Sequence, residues 1–454
     1  MKNVFVFIVA GLAFSFSSCN SSENANNDNP SGTDQPSLTF PDLARDMTIY
    51  EVNIRQHTIE GTFNAFTKDL PRIASLGTEI LWIMPIQPIG EKNRKGELGS
   101  YYSIKDYTAV NPEFGTFEDF TTLVSEAHKL GLYVILDWVP NHTAWDHPWV
   151  SEHPEYYAKD SLGQITYEAD WIDIALLDYS ALGLGDEMID KMRFWVEEAN
   201  IDGFRCDHAA HEIPMSFWDK AIPALDSLKN LFWLAEWDEP KLHGPFHASY
   251  YWGGHHLTKE VAHKQKPASE LIQHALEDQE KYGKSTHRLG FITNHDENAW
   301  SGTVDQLYGD QWKLFAVFNF TGYGMPMIYS GQEAGLDKQL KFFEKDTIDW
   351  SDPRGQQEFY RKLVQLHKEN PALWSGRFGG TPEIIPFSNA GVLAYKRSVE
   401  QNEVLVVLNF TEETIAFELN SNEDTYEDYF EGQKVSVSEG ISVPAVGFKV
   451  FIKK

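Results

Sequence analysis

The chain has 454 residues, with 67 acidic against 38 basic side chains, so its formal net charge at neutral pH is -29. This charge argues against nucleic acid as a partner, because nucleic-acid binding requires a basic surface. The 14 Trp, 19 Tyr and 29 Phe residues are unusually many, and exposed rings among them are candidate platforms for the apolar faces of sugars.

The N-terminal segment predicts export. Residues 1–19 contain an early lysine, an apolar run from Val4 to Phe16 and small residues that lead to Cys19, as in a secretory signal peptide. The small residues directly before Cys19 resemble a bacterial lipoprotein signal; a plain signal peptide cut nearby is the alternative. Residues 20–40 are rich in Asn, Ser, Asp, Gly and Pro, which predicts a disordered tether. We therefore expect an exported protein of the cell envelope, periplasmic or surface-facing, anchored to a bacterial membrane by a lipid on Cys19.

Eight short apolar runs follow, and amphipathic stretches separate most of them. The predicted strands occupy residues 49–54, 80–85, 132–139, 202–207, 231–237, 248–252, 290–294 and 325–329. Predicted helices, with apolar residues three and four apart, include residues 116–131, 186–200 and 359–370. This alternation predicts an α/β fold, a parallel (β/α)8 TIM barrel over residues 41–375.

Two segments depart from the barrel pattern. Residues 141–180, after the third strand, are too many for an ordinary loop and predict a short excursion domain that walls a cleft. Residues 376–454 contain alternating runs such as VLVVLNF, separated by Gly, Asn and Asp, which predict a C-terminal antiparallel β-sandwich. Apart from Cys19 the chain has one cysteine, Cys206, so the mature domain cannot contain an internal disulfide.

Charged residues collect at the C-terminal ends of the predicted strands, where the loops of such a barrel surround one concave face. Arg205 and Asp207 point to the same side of the fourth strand, because side chains alternate along a strand. One interpretation of this pair is an internal ion pair that only orients the chain. However, Asp207, Glu236 and Asp296 come from three strands and would meet at one mouth. Crowded carboxylates repel one another unless they have unequal roles, so the pattern favours an active site.

Short segments at these strand ends resemble the defining motifs of glycoside hydrolase family 13, the α-amylase family. In order and spacing they are DWVPNH (137–142), GFRCDHAAH (203–211), LAEW (234–237) and ITNHDE (292–297), with SYYSIKDYTAVNPEFGT (100–116) resembling a further family segment. The resemblance implies an endo-acting, retaining hydrolase that cleaves α-1,4-glucosidic bonds of maltooligosaccharides or starch. A covalent glucosyl-enzyme intermediate is implied, and no cofactor is required for the chemistry.

The resemblance also implies a role for each matched residue. Asp207 matches the nucleophile, and Arg205 would hold it ionised through charge-assisted hydrogen bonds. Glu236 matches the acid/base, which should carry its proton near neutrality, and Asp296 matches the third carboxylate, which binds sugar hydroxyls. Three further residues resemble substrate-binding groups around the cleaved glucose, one stacking ring and two hydrogen-bond donors: Tyr102, His142 and His295.

The sequence departs from the family pattern at two positions. Ala210 stands where many α-amylases carry a lysine that contacts the sugar on the leaving side. Asn141 matches a calcium ligand, but Leu176 stands where calcium-binding members often carry aspartate. A structural calcium therefore stays open at this stage, because calcium needs several oxygen ligands at once. Three nearby carboxylates are candidate replacements: Asp170, Asp173 and Asp178.

Two other functions are compatible with these residues. A transglycosylase of the same family, similar to a 4-α-glucanotransferase, would use the same carboxylates but exclude water from the acceptor side. An inactive glycan-binding barrel protein is the alternative from a different class. The presence of all three carboxylates counts against the inactive protein, because binding alone does not need them.

Overall fold

A computed structural model describes residues 38–419 and 425–453. The predicted signal peptide, its Cys19 and most of the predicted tether therefore lie outside the described residues. Phe40, at the predicted end of the tether, is buried, and its ring lies 5.3 Å from the rings of Tyr133 and Phe232. The packed domain thus includes Phe40. Within the described part of the chain, no helix has the length and apolar character needed to cross a membrane.

Within the described residues, ten strands precede the C-terminal domain. They are β1 (Ile49–Val52), β2 (Ile80–Ile83), β3 (Tyr133–Trp138), β4 (His142–Ala144), β5 (Ile174–Leu176), β6 (Gly203–Cys206), β7 (Phe232–Ala235), β8 (Ala248–Tyr250), β9 (His287–Gly290) and β10 (Met325–Tyr329). All except β4 and β5 form a closed parallel barrel in the order β1-β10-β9-β8-β7-β6-β3-β2. The predicted TIM barrel is confirmed.

Helices connect the strands; the longer ones cover the outside of the barrel, and one short helix lies in the excursion domain. They are α1 (Ile54–His57), α2 (Phe63–Thr67), α3 (Leu70–Leu76), α4 (Phe117–Lys129), α5 (Trp149–Glu152), α6 (Leu184–Ala199), α7 (Met215–Asp226), α8 (Trp252–Ala262), α9 (Glu270–Tyr282), α10 (Val304–Tyr308), α11 (Trp312–Thr321) and α12 (Gln356–Glu369). Helix α4 begins with a capping box, in which Thr116 and Asp119 satisfy each other's backbone N–H groups. Helices form in all three stretches that the sequence analysis specified, as α4, α6 and α12.

The seventh barrel strand lies earlier than predicted. The apolar run GFITN predicts this strand at residues 290–294, whereas β9 ends at Gly290. The prediction followed apolar side chains, but β9 contains Arg288, which is buried because it donates a 2.9 Å hydrogen bond to Asp278. Burial with an acidic partner is the reason that a strand with a charged residue forms here. Residues 291–294 instead lead into the loop that carries Asp296.

The excursion domain and the C-terminal domain follow the expected layout. Strands β4 and β5 pair antiparallel within residues 141–180, with His142 opposite Leu176. The C-terminal strands are β11 (Glu383–Ile385), β12 (Val392–Val399), β13 (Asn402–Asn409), β14 (Ile415–Phe417), β15 (Thr425–Asp428), β16 (Gln433–Ser436), β17 (Ile441–Val443) and β18 (Gly447–Lys453). They form a six-stranded and a two-stranded antiparallel sheet around one apolar cluster. This arrangement agrees with a β-sandwich.

Side chains fill the interior of the barrel and leave its C-terminal face as the place for chemistry. Ile49, Trp82, Ile135 and Phe232 belong to this interior cluster and are fully buried. Because the interior is packed, the barrel is not a pore. Polar residues that follow the strands therefore lie at the C-terminal face.

Candidate active site

The predicted catalytic residues line one cleft of about 650 Å³ at the C-terminal face of the barrel. Asp207 directly follows β6, Glu236 directly follows β7, and Asp296 lies in the loop after β9. Asp207 and Glu236 are nearly buried, whereas the Asp296 side chain is 39% exposed. The structure thus brings together three carboxylates from different strands, in a volume typical of small-molecule sites.

The guanidinium of Arg205 contacts two of these acids, Asp207 and Glu236, and a third acid, Asp137. Its Nη1 donates to Asp207 Oδ1 at 2.8 Å and to Asp137 Oδ1 at 2.9 Å. Its Nη2 lies 2.8 Å from Glu236 Oε1, although the angle makes this contact an ion pair without a well-aligned hydrogen bond. Its Nε donates to the Tyr250 hydroxyl at 3.1 Å. The fully buried guanidinium therefore contacts three carboxylates, whereas the sequence predicted a contact with Asp207 alone.

Asp207 and Glu236 face one another across a short gap. A carboxylate oxygen of each lies within 4.8 Å of the other. The backbone N–H of His208 donates to Glu236 Oε2 at 2.9 Å, and the N–H of Glu236 donates to Cys206 O at the same distance. Backbone pairing between β6 and β7 thus fixes the separation of the two acids. Retaining glycosidases place their two carboxyl groups about 5 Å apart, and this gap agrees with that spacing.

The side chains predicted to surround the cleaved glucose also lie together. The Tyr102 hydroxyl is 2.8 Å from His295 Nε2 and donates to Asp137 Oδ2 at 3.1 Å. His295 Nε2 also lies 3.3 Å from Asp296 Oδ2. His142 Nε2 lies 3.0 Å from the Tyr102 carbonyl oxygen and donates to it, so Nδ1 is the unprotonated nitrogen. Burial lowers the pKa of His142 to about 3, and its ring is therefore neutral near neutral pH.

His295 is the opposite case, because acids contact both of its ring nitrogens. Its Nδ1 lies 2.5 Å from Glu51 Oε1, on the fully buried first strand. Burial alone would lower the pKa of His295, but the charges of Asp296 and Glu51 raise it to about 9. The imidazolium form is therefore present near neutral pH. Both of its N–H groups donate to acidic or hydroxyl partners.

We expect the free energy of unfolding to depend on pH through His295. The ordinary histidine pKa is about 6.5, so a raised folded-state pKa adds stability that is complete below about pH 6.5. This contribution is lost as the pH rises through about 9. His295→Gln should therefore lose less unfolding free energy than wild type between pH 6.5 and 9.5. Urea denaturation at several pH values measures this, with exposed His256→Gln as control, and equal slopes in all three proteins would contradict the assignment.

Sequence reasoning missed several residues that support the site. Glu51 was not singled out, although a charge inside the apolar run IYEVNI is the same kind of signal that drew attention to Arg205. Asp137 is the first residue of the motif DWVPNH, but its contacts with Arg205, Tyr102 and the Trp82 indole at 3.1 Å appear only in the structure. These contacts join residues far apart in the chain, and no local pattern encodes them.

The possible calcium ligand Asn141 lies apart from any cluster of three His, Cys, Asp or Glu side chains in the described residues. Asn141 is buried, and neither atom of its side-chain amide has a hydrogen-bond partner. Within the described residues, one group of three His, Cys, Asp or Glu side chains lies close enough together to hold a metal ion, and it consists of Asp207, His208 and Glu236. The proposed replacement ligands do not form such a group, and the ammonium of Lys95 lies 3.5 Å from Asp173. A calcium ion at Asn141 would therefore need backbone or amide oxygens among its ligands, which calcium accepts.

Comparisons with known proteins point to the α-amylase fold. Residues 15–174 match the family described as "Alpha amylase, catalytic domain", and residues 383–450 match "Maltogenic Amylase, C-terminal domain". Alpha-amylase 2 of Dictyoglomus thermophilum is 27% identical over 424 residues, covering 84% of this chain and 69% of that protein. The crystal structure of an α-amylase from Lactobacillus plantarum superposes with a TM-score of 0.82 at 28% identity, covering 90% of this chain and 99% of that one.

A transferase is also similar to this chain. The α-1,4-glucan:maltose-1-phosphate maltosyltransferase of Salinibacter ruber is 26% identical over 417 residues, which cover 81% of this chain. The match spans 60% of the length of that relative. Similarity therefore extends to enzymes that hydrolyse and to enzymes that transfer.

Proposed function

We propose that this chain, which has the α-amylase fold, is an α-amylase-family enzyme that cleaves α-1,4-glucosidic bonds of maltooligosaccharides or starch with retention of configuration. The observation that carries the proposal is the gap of at most 4.8 Å between carboxylate oxygens of Asp207 and Glu236. An inverting enzyme needs room for water between its acids, about 6.5–9.5 Å between the carboxyl groups. The closer spacing suits direct attack by one carboxylate.

The proposed reaction has two steps. In the first, an Asp207 oxygen forms a bond to the anomeric carbon while Glu236 gives a proton to the leaving oxygen, and the bond between that carbon and oxygen breaks. In the second, Glu236 takes a proton from water, the water oxygen attacks the anomeric carbon, and the Asp207 ester bond breaks. Asp296 is partly exposed at the cleft surface, where its carboxylate can accept hydrogen bonds from sugar hydroxyls.

Arg205 can stabilise negative charge on either acid as the charge moves between Asp207 and Glu236 during the two steps. Its guanidinium contacts Asp207 and Glu236 at 2.8 Å each, so it stabilises whichever carboxylate bears the charge. The guanidinium carbon lies 4.9 Å from the centre of the Trp82 ring and 5.6 Å from the centre of the Tyr250 ring. These two rings restrict the movement of the Arg205 side chain. The charge is therefore fixed in place before substrate binds.

We expect Glu236→Gln to lower kcat on maltoheptaose by about 10²- to 10⁴-fold, because the amide cannot protonate the leaving oxygen. Aryl maltosides whose leaving group is a weak base need no such proton, so their first step should be affected little. Stopped-flow release of the aryl group measures that step directly. Glu239→Gln, three positions along the same loop, is the control, and equal losses on both substrates would remove Glu236 from the acid role.

A transglycosylase is the second candidate, and similarity to the maltosyltransferase favours considering it. On the Glu236 side of the cleft, the Trp237 ring stacks on the His211 ring at 5.8 Å, and His211 Nε2 lies 2.6 Å from Glu168. This aromatic pair lies beside Ala210, where the family lysine is missing, and offers a platform to an acceptor sugar. Maltotriose separates the two activities, since hydrolysis raises the number of reducing ends and transfer makes longer oligosaccharides without raising it. Binding without either product would favour an inactive glycan-binding protein.

The proposed cellular location rests on the predicted N-terminal signal. We propose that the enzyme is exported and held at a bacterial membrane by a lipid on Cys19, where it meets α-glucans delivered to the cell envelope. Cys19→Ala should release it into the soluble fraction of the producing cell or its medium. Retention of the variant in the membrane fraction would contradict lipid anchoring.

A further inference from the structure

We infer that the cleft is closed beyond the glycone sugar, so that the enzyme works from the non-reducing end of its substrate and releases short products of one length. This inference rests on the proposed function and specifies its substrate end. It differs from the internal cleavage that the family resemblance implied. Three loops that meet at one end of the cleft carry it.

The proposed chemistry orients the substrate. Glu236 protonates the leaving oxygen, so the leaving sugars lie on the Glu236 side, toward Trp237 and His211. The glycone then lies on the side of Tyr102 and His295, whose rings stack at 5.6 Å. Beyond Tyr102 on this side lies Phe342, whose ring is nearly parallel to that of Tyr102, at 6.4 Å and 14°. A glycone longer than a few sugars has to pass this point.

Contacts join the segment that begins at Phe342, residues 342–344, to residues 95–98, and these in turn to residues 170–173; we call the three segments the end bridge. Lys95 Nζ donates to the Asp170 carbonyl oxygen at 2.8 Å and lies 3.5 Å from Asp173 Oδ1. The N–H of Leu98 donates to the Phe343 carbonyl oxygen at 2.9 Å. The bridge thus joins the loop after β2, the excursion domain and the loop after β10. Lys95 and Phe343 line the same cavity as Asp207 and Glu236.

The closest contact within the end bridge depends on a glycine. Gly96 has φ +66°, in the left-handed region that favours glycine. A Cβ atom built on Gly96 would lie 2.4 Å from the Cβ of Phe343, closer than two such atoms can approach. The two loops therefore pack backbone against side chain with no room between them. A sugar chain cannot pass between these loops without separating them.

An exposed tryptophan sits beside the end bridge. Trp300 is 60% exposed, and its ring lies 5.3 Å from that of Phe342 and 6.0 Å from that of Phe343. It belongs to a π-helical turn, Glu297–Ser301, directly after Asp296. Such turns are rare and frequently occur at functional sites. The Trp300 ring is placed to stack on the terminal glucose of the glycone. The end bridge leaves no room for a further sugar beyond that glucose.

The test compares maltoheptaose with maltoheptaose whose non-reducing glucose carries a 4,6-O-ethylidene group. With a closed end, wild type should cleave the blocked substrate at least about tenfold more slowly, and one short product should dominate early digests of the free substrate. Lys95→Ala removes the contacts of the bridge with Asp170 and Asp173, which frees the excursion domain from it, and should raise the ratio of blocked to free rates at least about fivefold. Lys92→Ala, an exposed lysine of the same loop, should leave that ratio unchanged. Equal rates on both substrates in wild type, or an unchanged ratio in Lys95→Ala, would overturn the inference.

A binding measurement separates this inference from the proposed function. In Asp207→Asn, calorimetry should find that free maltoheptaose binds at least about tenfold more tightly than the blocked form. Adding Lys95→Ala should reduce that preference. If wild type cleaves neither substrate but this preference is present, the proposed hydrolysis fails and the closed end stands. If wild type cleaves both substrates and Asp207→Asn binds both equally, the closed end fails and the hydrolysis stands.

Discussion

Asp207→Asn is expected to lower kcat on maltoheptaose by about 10⁴- to 10⁶-fold, because in the proposed mechanism Asp207 forms the covalent glucosyl bond. The amide is nearly the same size as the carboxylate, so binding should change far less than turnover. Reducing-sugar release measures turnover, and exposed Asp310→Asn is the matched control.

A chemical rescue distinguishes loss of a nucleophile from loss of structure. Asp207→Gly leaves a space where azide can attack the anomeric carbon from the same side as the missing carboxylate. The product should be a glucosyl azide of inverted, β configuration, identified by NMR. Activity of Asp207→Asn within tenfold of wild type would show that Asp207 is not the nucleophile.

Arg205→Met should be among the most destabilising single changes in the barrel. It would leave Asp137, Asp207 and Glu236 near one another without their shared cation, and removing one member of a buried ionic group lowers the free energy of unfolding by about 3–5 kcal/mol. Arg205→Lys keeps the charge but not the planar fork that reaches several acids at once, so it should recover only part of the loss.

Urea denaturation measures this change, and the control is another arginine that pairs with an acid. Arg361 contacts Glu358 one helical turn away on the exposed face of α12, and such surface pairs contribute at most about 1 kcal/mol. Arg361→Met should therefore change the unfolding midpoint little. A loss in Arg205→Met no larger than that in Arg361→Met would mean that water, and not the guanidinium, solvates the three carboxylates.

The barrel could be predicted because its signals are local. Apolar runs alternate with amphipathic helices, and charges such as Arg205 and Asp207 mark strand ends. The same reasoning misplaced β9, because Arg288 lies inside that strand and its acidic partner comes from a different element. A run of apolar residues predicts a buried strand well, but it does not predict a strand whose charged residue is buried with an oppositely charged partner.

The candidate site could be predicted in part, for a related reason. Motifs at strand ends identified Asp207, Glu236 and Asp296, but not the contact of Glu51 with His295, which lies 244 positions away. The contact of Lys95 with Asp170 joins two loops whose course the apolar pattern does not describe. Loop positions depend on packing between distant segments, and so the closed end of the cleft emerged only from the folded chain.

The three-way contact of Arg205 also has a consequence for folding. Asp137 and Arg205 are 68 positions apart, and Glu236 comes from a third strand, so the acid pair is assembled only after β3, β6 and β7 lie in register. Long-range contacts of this kind form late and slowly, because the entropy of closing large loops must be lost first. Recovery of turnover after dilution from denaturant should therefore lag behind recovery of helical circular dichroism. Turnover would then be proportional to the fraction of chains in which these three strands have come into register.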